Sequence, residues 1–154
     1  MKNVRTFQAG LEDISDLKTI EMAAGLSAWT LEGYKTEIVR PDSVALIARN
    51  ADGEPLAFMI GRIPRIVGGI AEIYNIGTLP HVRRRGIGRA LLAEFLDKCK
   101  GQSVLEVWLE ARISNRDAII FYRTNGFDPK GIRPNFYDNP GEDAQLMTLR
   151  LTRD

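Results

Sequence analysis

One cysteine and one histidine stand among the 154 residues, and each scarcity removes a class of protein. Cys99 has no partner within the chain, so a disulfide-stapled secreted scaffold is excluded and a reducing cytoplasm is the compatible setting. No His, Cys and carboxylate cluster recurs at ligand spacing, so no metal site is expected. Long apolar runs are missing too: stretches such as residues 44–48 (VALIA) fall far short of the roughly 18 residues of a membrane span. The opening MKNVRTF has no apolar run to act as a signal segment. Nor is one charge in excess. With 21 Lys and Arg against 20 Asp and Glu, net +1, a generally basic nucleic-acid binder is disfavoured. No repeat, low-complexity tract or linker divides the chain, and at about 150 residues per domain a single domain over 1–154 is expected.

What is present is an alternation of strand-like and helix-like segments. Residues 4–9 read as a short strand. Leu11, Ile14, Leu17 and Ile20 recur at helical spacing until Gly25, and Thr30 is placed to cap a second helix that Pro41 stops. Residues 44–49 and 56–63 flank Asn50-Ala51-Asp52-Gly53, whose Asp-Gly supplies hairpin turn chemistry. A further strand spans 71–79. Ala90, Leu91, Leu92, Phe95, Leu96 and Cys99 form an amphipathic helix closed by Lys98, Lys100 and Gly101. Residues 104–111 suit a strand, Ser114 or Asn115 caps a helix ending at Gly126, and strands near 127–132 and 145–151 follow. The order β-α-α-β-β-β-α-β-α-β-β implies an α/β fold with a mixed sheet of about seven strands and helices on its faces.

Between a strand and the best helix lies Arg83-Arg84-Arg85-Gly86-Ile87-Gly88-Arg89. A helix N-terminus offers unpaired N–H groups and about half a positive charge, and glycines let the backbone approach a ligand closely. The pattern fits a diphosphate-bearing cofactor. A P-loop is excluded because the Gly-Lys-Ser/Thr ending is missing, and Leu91 stands where a dinucleotide fingerprint needs its third glycine. RNA or DNA could use the arginines, but no interleaved aromatic platform accompanies them.

With this turn following Asn75-Ile76-Gly77-Thr78-Leu79-Pro80, the chain resembles the GCN5-related N-acetyltransferases, whose signature Gln/Arg-x-x-Gly-x-Gly/Ala is met by Arg83 to Gly88. The segments VWLEARISN (107–115), AIIFYRTNGF (118–127), Asn135-Phe136-Tyr137 and Glu142-Asp143-Ala144 narrow the likeness. They resemble the RimI type, the ribosomal-protein alanine N-acetyltransferases and their archaeal protein N-terminal relatives. The likeness is close over about residues 71–151 and looser before, through Ala28-Trp29-Thr30. It implies a mixed, mostly antiparallel sheet of about seven strands with about four helices, and acetyl-CoA as the donor, leaving as CoA. It implies that backbone at Ile76, Gly77 and Thr78 holds the acetyl and pantetheine portion; the family usually has a small residue then valine at Gly77-Thr78. The pyrophosphate would sit on Arg84, Arg85, Gly86, Ile87, Gly88, Arg89 and Ala90, with Asn115 on the pantetheine arm. Glu110 matches the family's base and Tyr122 its acid.

Residue chemistry alone leaves those two open: a strand-end glutamate is usually a solvated surface group, and a helical tyrosine a core edge. Asn115 and Tyr122 are seven residues apart, two helical turns, and share a face. An α-amino group, with a pKa near 8 against about 10.4 for lysine, reaches its neutral form about 3 kcal/mol more easily at pH 7, so a protein N-terminus is the easier acceptor for one carboxylate base. Glu72, Trp29, Tyr34 and Tyr137 are candidates for a peptide groove, with Asp138-Asn139-Pro140-Gly141 a turn that would let Tyr137 move. Glu142 and Asp143 are expected, with Glu72, Glu110 and Asp138, to flank the approach of a cationic N-terminus. Cys99, on the apolar face at a helix C-terminus, is expected to be buried and inert, and His81 to be a surface residue. The expected acceptor is a protein N-terminus, in particular the N-terminal alanine of a small-subunit ribosomal protein. The alternatives are a small-molecule amine, or a non-catalytic acyl-CoA or nucleic-acid binding module. No direct nucleic-acid or membrane partner is expected, and the chain is expected to be a cytoplasmic monomer or weak dimer.

Overall fold

A computed structural model describes residues 3–151. In chain order its elements are β1 (Arg5–Gln8), α1 (Ile14–Ala24), α2 (Leu31–Ile38), β2 (Ser43–Arg49), β3 (Pro55–Arg62), β4 (Ile70–Thr78), α3 (Ile87–Gly101), β5 (Glu106–Arg112), α4 (Arg116–Thr124), β6 (Asp128–Tyr137) and β7 (Glu142–Arg150). The seven strands form one sheet in the order β1-β2-β3-β4-β5-β7-β6. Every neighbouring pair is antiparallel except β4 and β5. This is the mixed, mostly antiparallel sheet with four helices expected from the sequence.

Local chemistry sets the boundaries. Gly25, at φ +71°, ends α1, and the Thr30 hydroxyl accepts the Gly33 N–H at 2.9 Å to cap α2. In the β2–β3 hairpin the Asn50 side-chain oxygen accepts from the Asp52 and Glu54 N–H groups, and Gly53 sits at φ +82°. Two boundaries differ from the sequence pattern. Leu11 opens a 3-10 turn (Leu11–Asp13) ahead of α1 and is exposed. The last hairpin is longer than its apolar pattern: β6 runs on to Tyr137 through an irregularity between Arg133 and Tyr137, and β7 begins at Glu142.

The central strands are apolar on both sides because helices cover both. On β2 and β3, Leu46, Ala48, Ala57 and Met59 join the α3 residues Leu91, Leu92, Phe95 and Cys99 in one core. Their alternates Ala45, Ile47, Phe58 and Ile60 pack with Leu17 and Ile20 of α1 and Tyr34 of α2 in the other. Gly61 has a packing reason: a Cβ there would lie 2.6 Å from the Glu72 carbonyl and 2.7 Å from the Phe95 ring.

The feature that positions the site is a fork. β4 and β5 pair only from Ile70↔Glu106 to Ile73↔Leu109, and β4 carries an extra residue at Tyr74 relative to β3. Beyond that point β4 stays with β3 to Thr78, while β5 stays with β7 to Arg112. The backbone of β4 past Tyr74 and of β5 past Leu109 therefore borders an open wedge. Every second residue of each edge directs its N–H and C=O into it.

Candidate active site

Two cavities meet in the wedge. One, of about 380 Å³, lies between the α1–α2 loop, Glu72 to Ile76 of β4, Glu110 to Arg112 of β5, and Arg133, Phe136 and Tyr137 of β6. The other, of about 620 Å³, runs from Ile76, Gly77 and Thr78 along the turn before α3 to the face of α4. Leu26, Ile76, Asn115, Ala118 and Tyr122 line both, so a ligand in each would meet at these side chains.

The larger cavity carries the features of an anion site. Gly86 takes φ +82° as N-cap of α3 and supplies no side chain to the helix end, whose first backbone bond is Ala90 N–H to the Gly86 carbonyl at 3.0 Å. The N–H groups of Ile87, Gly88 and Arg89 are thus left for a ligand. A Cβ on Gly86 would meet nothing within 4 Å, so the demand for glycine is one of backbone conformation. Arg84, Gly86, Ile87, Gly88 and Arg89 line this cavity, whereas Arg85 and Ala90 of the same run do not. Arg83, exposed, lines it too and donates to the carbonyls of Thr78 and Ala24 at 3.3 Å. Asn115 caps α4 through its side-chain oxygen, 3.2 Å from the Ala118 N–H, which leaves its amide NH₂ free to donate to a ligand. At Gly77 space is tight: a Cβ would lie 2.8 Å from the tip of Leu26 and 3.0 Å from the Phe58 ring, so any side chain requires Leu26 to shift.

The smaller cavity holds the titratable pair expected from the sequence. Glu110, the first β5 residue past the paired segment, has a side chain 17% exposed, with Arg133 Nε 3.4 Å from its carboxylate. Burial pushes its pKa upward, the Arg133 charge opposes the shift, and Glu72 adds to it. Tyr122 is buried at the junction, and burial raises its hydroxyl well above the ordinary phenol. A carboxylate prone to take a proton thus lines the smaller cavity, and a phenol that keeps its own stands where the two cavities meet.

The acceptor candidates divide. Trp29, half-buried, packs on Tyr34 with ring centroids 5.2 Å apart and lines the cleft; Glu72 and Tyr137 line it too. Tyr34 does not: it is fully buried beneath Trp29, and its hydroxyl donates to the buried carboxylate of Glu21. Glu21 also accepts the Trp29 N–H at 3.3 Å, and Lys18 donates to the Trp29 carbonyl at 2.6 Å, so the α1–α2 loop is held at both polar groups of one residue. Tyr137 is held rather than free: its hydroxyl donates to the Glu110 carbonyl at 3.1 Å, the Arg112 guanidinium lies 4.4 Å from its ring, and burial pushes its pKa up to about 12. Glu142 and Asp143 are used structurally, the first accepting from the Ser114 N–H and Arg112, the second from the Asn135 N–H. Cys99 is fully buried with its thiol pushed up to about 12, and His81 is exposed and lines neither cavity. Among the described residues no metal-holding cluster occurs, and no helix is long and apolar enough to cross a membrane.

Several lining residues escaped the sequence reading: Leu26, Ser27, Arg112, Ala118, Phe121, Arg133 and Phe136. Arg112 had a legible signal, standing two residues after Glu110 on the same strand face.

Comparison with known proteins agrees with this geometry. Residues 13–127 match the Acetyltransferase (GNAT) family. The chain is 38% identical over 104 residues to the ribosomal protein bS18-alanine N-acetyltransferase of Salmonella typhimurium, 66% of this chain and 68% of that protein. It is 33% identical over 128 residues to the N-alpha-acetyltransferase RimI of Mycobacterium tuberculosis, 82% and 78% of the two chains. The crystal structure of the ribosomal-protein-S18-alanine N-acetyltransferase from Escherichia coli superposes with a TM-score of 0.84 at 28% identity, covering 98% of this chain and 96% of that one.

Proposed function

This chain belongs to the acetyltransferase (GNAT) family, and from that premise we propose that it acetylates the α-amino group of a protein N-terminus, the N-terminal alanine of a small-subunit ribosomal protein above all. Its donor is acetyl-CoA. The uncapped end of α3, the three cavity arginines Arg83, Arg84 and Arg89, and the 620 Å³ cavity fit a diphosphate followed by an extended arm. Ile87, Gly88 and Arg89 N–H groups would hold the diphosphate, the Asn115 NH₂ the arm, and the open edge of Ile76 to Thr78 the acyl end. When bound, acetyl-CoA supplies a thioester carbonyl for attack by an amine and a thiolate that leaves.

The observation that carries the reading is the meeting of the two cavities at Leu26, Ile76, Asn115, Ala118 and Tyr122, with Glu110 lining the smaller of them. Glu110 takes the proton of the incoming ammonium, directly or through one water, and its raised pKa makes it a better proton acceptor than an ordinary carboxylate. Tyr122 keeps its proton at neutral pH because burial opposes its ionisation, so the hydroxyl is available to the leaving sulfur. An α-amine costs about 3 kcal/mol less to neutralise than a lysine at pH 7, within reach of a single carboxylate. Trp29, Glu72 and Tyr137 line the acceptor side, Glu72 offering a carboxylate to a cationic terminus. A ribosomal acceptor puts the reaction in the cytoplasm.

The test is incubation with acetyl-CoA and a panel of N-terminal peptides and polyamines, following thiol release. Release with alanine-starting peptides supports the reading. Release with small amines alone would replace it by a metabolite acetyltransferase, and none with any acceptor would favour a binding module.

A further inference from the structure

Arg112 has a half-buried guanidinium between the two loops that wall the acceptor cleft, and the chemistry proposed above gives it no role. Its side chain is 18% exposed. Nε and Nη2 donate to the Ser27 hydroxyl at 3.2 and 3.1 Å, Nη2 to the Asp138 carbonyl at 3.2 Å, and Nη1 to the Pro140 carbonyl at 3.0 Å and Glu142 Oε1 at 3.3 Å. These bonds match the five N–H donors of a guanidinium. Ser27 belongs to the α1–α2 loop, and Asp138 and Pro140 to the turn between β6 and β7. The same plane stacks on Tyr137, whose hydroxyl returns to the Glu110 carbonyl.

From this we infer that Arg112 is a positioning residue that sets the width of the acceptor cleft, and through it the preference for a small first residue. The α1–α2 loop is held from below by Glu21 and Lys18 at Trp29, whereas the link across to the β6–β7 turn runs through Arg112. Lysine cannot replace it. An ammonium is a compact charge with three donors and no plane, so it can neither meet all five of these contacts nor lay a planar fork on the Tyr137 ring. Without the strap the walls separate at Ser27 and Tyr137, while the free N–H groups at the start of α3 are held by the helix itself and keep their geometry. The selectivity half of this inference rests on the N-terminal acceptor reading; the strap itself does not.

The test uses the full chain with Arg112→Lys and, in case that variant folds poorly, Ser27→Ala, which removes a shared acceptor at an exposed site. Hydrogen exchange without acceptor reports the strap alone. Arg112→Lys is expected to accelerate exchange in both residues 25–30 and 138–142, Ser27→Ala in the first segment. Kinetics then report its use: acceptor KM rises at least ten-fold in Arg112→Lys and about three-fold in Ser27→Ala, with the KM for acetyl-CoA unchanged. The ratio of kcat/KM for alanine-starting over leucine-starting peptides falls at least three-fold. Unchanged loop exchange in both variants, or a rise in acetyl-CoA KM equal to that for the acceptor, overturns the strap. If the wild-type enzyme acetylates only small amines, the peptide reading fails, while the same KM split with that amine still supports Arg112.

Discussion

Valine at position 86 separates the backbone's part in donor binding from that of the arginines. Gly86 sits at φ +82°, and a Cβ there meets no atom within 4 Å, so the replacement clashes with nothing and acts through conformation. The left-handed region costs an ordinary residue roughly 1–2 kcal/mol, and a β-branched one is a clear outlier there. For a domain of this length each kcal/mol lowers Tm by about 2–4 °C, so a fall of about 2–8 °C is expected if the turn holds its shape. If the turn relaxes instead, the N–H groups of Ile87, Gly88 and Arg89 rotate away from the cavity. Each hydrogen bond to a charged group contributes about 1.5–3 kcal/mol, so losing one weakens acetyl-CoA or CoA binding by about 10- to 100-fold. Asparagine tolerates the left-handed region, so Gly86→Asn should stay within a few-fold of wild type although it also adds a side chain. Calorimetric titration with CoA beside thermal melts of both variants measures each part. Wild-type affinity together with an unchanged Tm in Gly86→Val, or equal losses in Val and Asn, would refute a conformational demand at this turn.

Other changes act on the reacting groups and the acceptor wall. Glu110→Gln should lower kcat/KM by about 10²- to 10⁴-fold, the usual worth of a positioned base, with acetyl-CoA affinity intact; wild-type turnover across the pH range would remove Glu110 as the base. Since Glu110 works deprotonated, its raised pKa puts the acidic limb of the kcat/KM profile above the ordinary carboxylate range. Arg133→Gln removes the influence that lowers that pKa and should move the limb to higher pH, while Glu72→Gln removes one that raises it and should move the limb lower; opposite directions in a pH–rate series would contradict the electrostatics. Tyr122→Phe should depress kcat with little change in CoA binding, and an unaltered kcat would assign the leaving-group proton elsewhere. Tyr34→Phe leaves the fully buried Glu21 short of a donor and should cost about 1–3 kcal/mol of stability by urea denaturation, a loss of only a few tenths counting against the anchor.

The sequence carried the helices and the cofactor turn well because those depend on local chemistry: a period of 3.6 in α3, a hydroxyl at Thr30, glycine at a left-handed N-cap. Glu110, Tyr122 and Asn115 came through the resemblance to the acetyltransferases, with which strand-end position and helical spacing agree. The wedge was not legible. Both sides of it read as ordinary strands, and nothing in a two-residue alternation marks where β4 and β5 stop pairing at Ile73 and Leu109. Charge was equally opaque as to use. Glu142 and Asp143 look like acceptor-side carboxylates but are spent on the Ser114 and Asn135 N–H groups, and Tyr34 looks like a groove aromatic but serves buried Glu21. Which partner a polar side chain finds depends on contacts made across tens of residues, as with Arg112 and Ser27.

The most direct measurement is where the acetyl group goes. An alanine-starting peptide with one internal lysine, incubated with enzyme and acetyl-CoA, is fragmented in a mass spectrometer to locate the added group. Acetyl is expected on the α-amine and none on the lysine, with the product lost in Glu110→Gln. Acetyl on the lysine, or an unmodified peptide beside an acetylated small amine, would contradict the N-terminal reading.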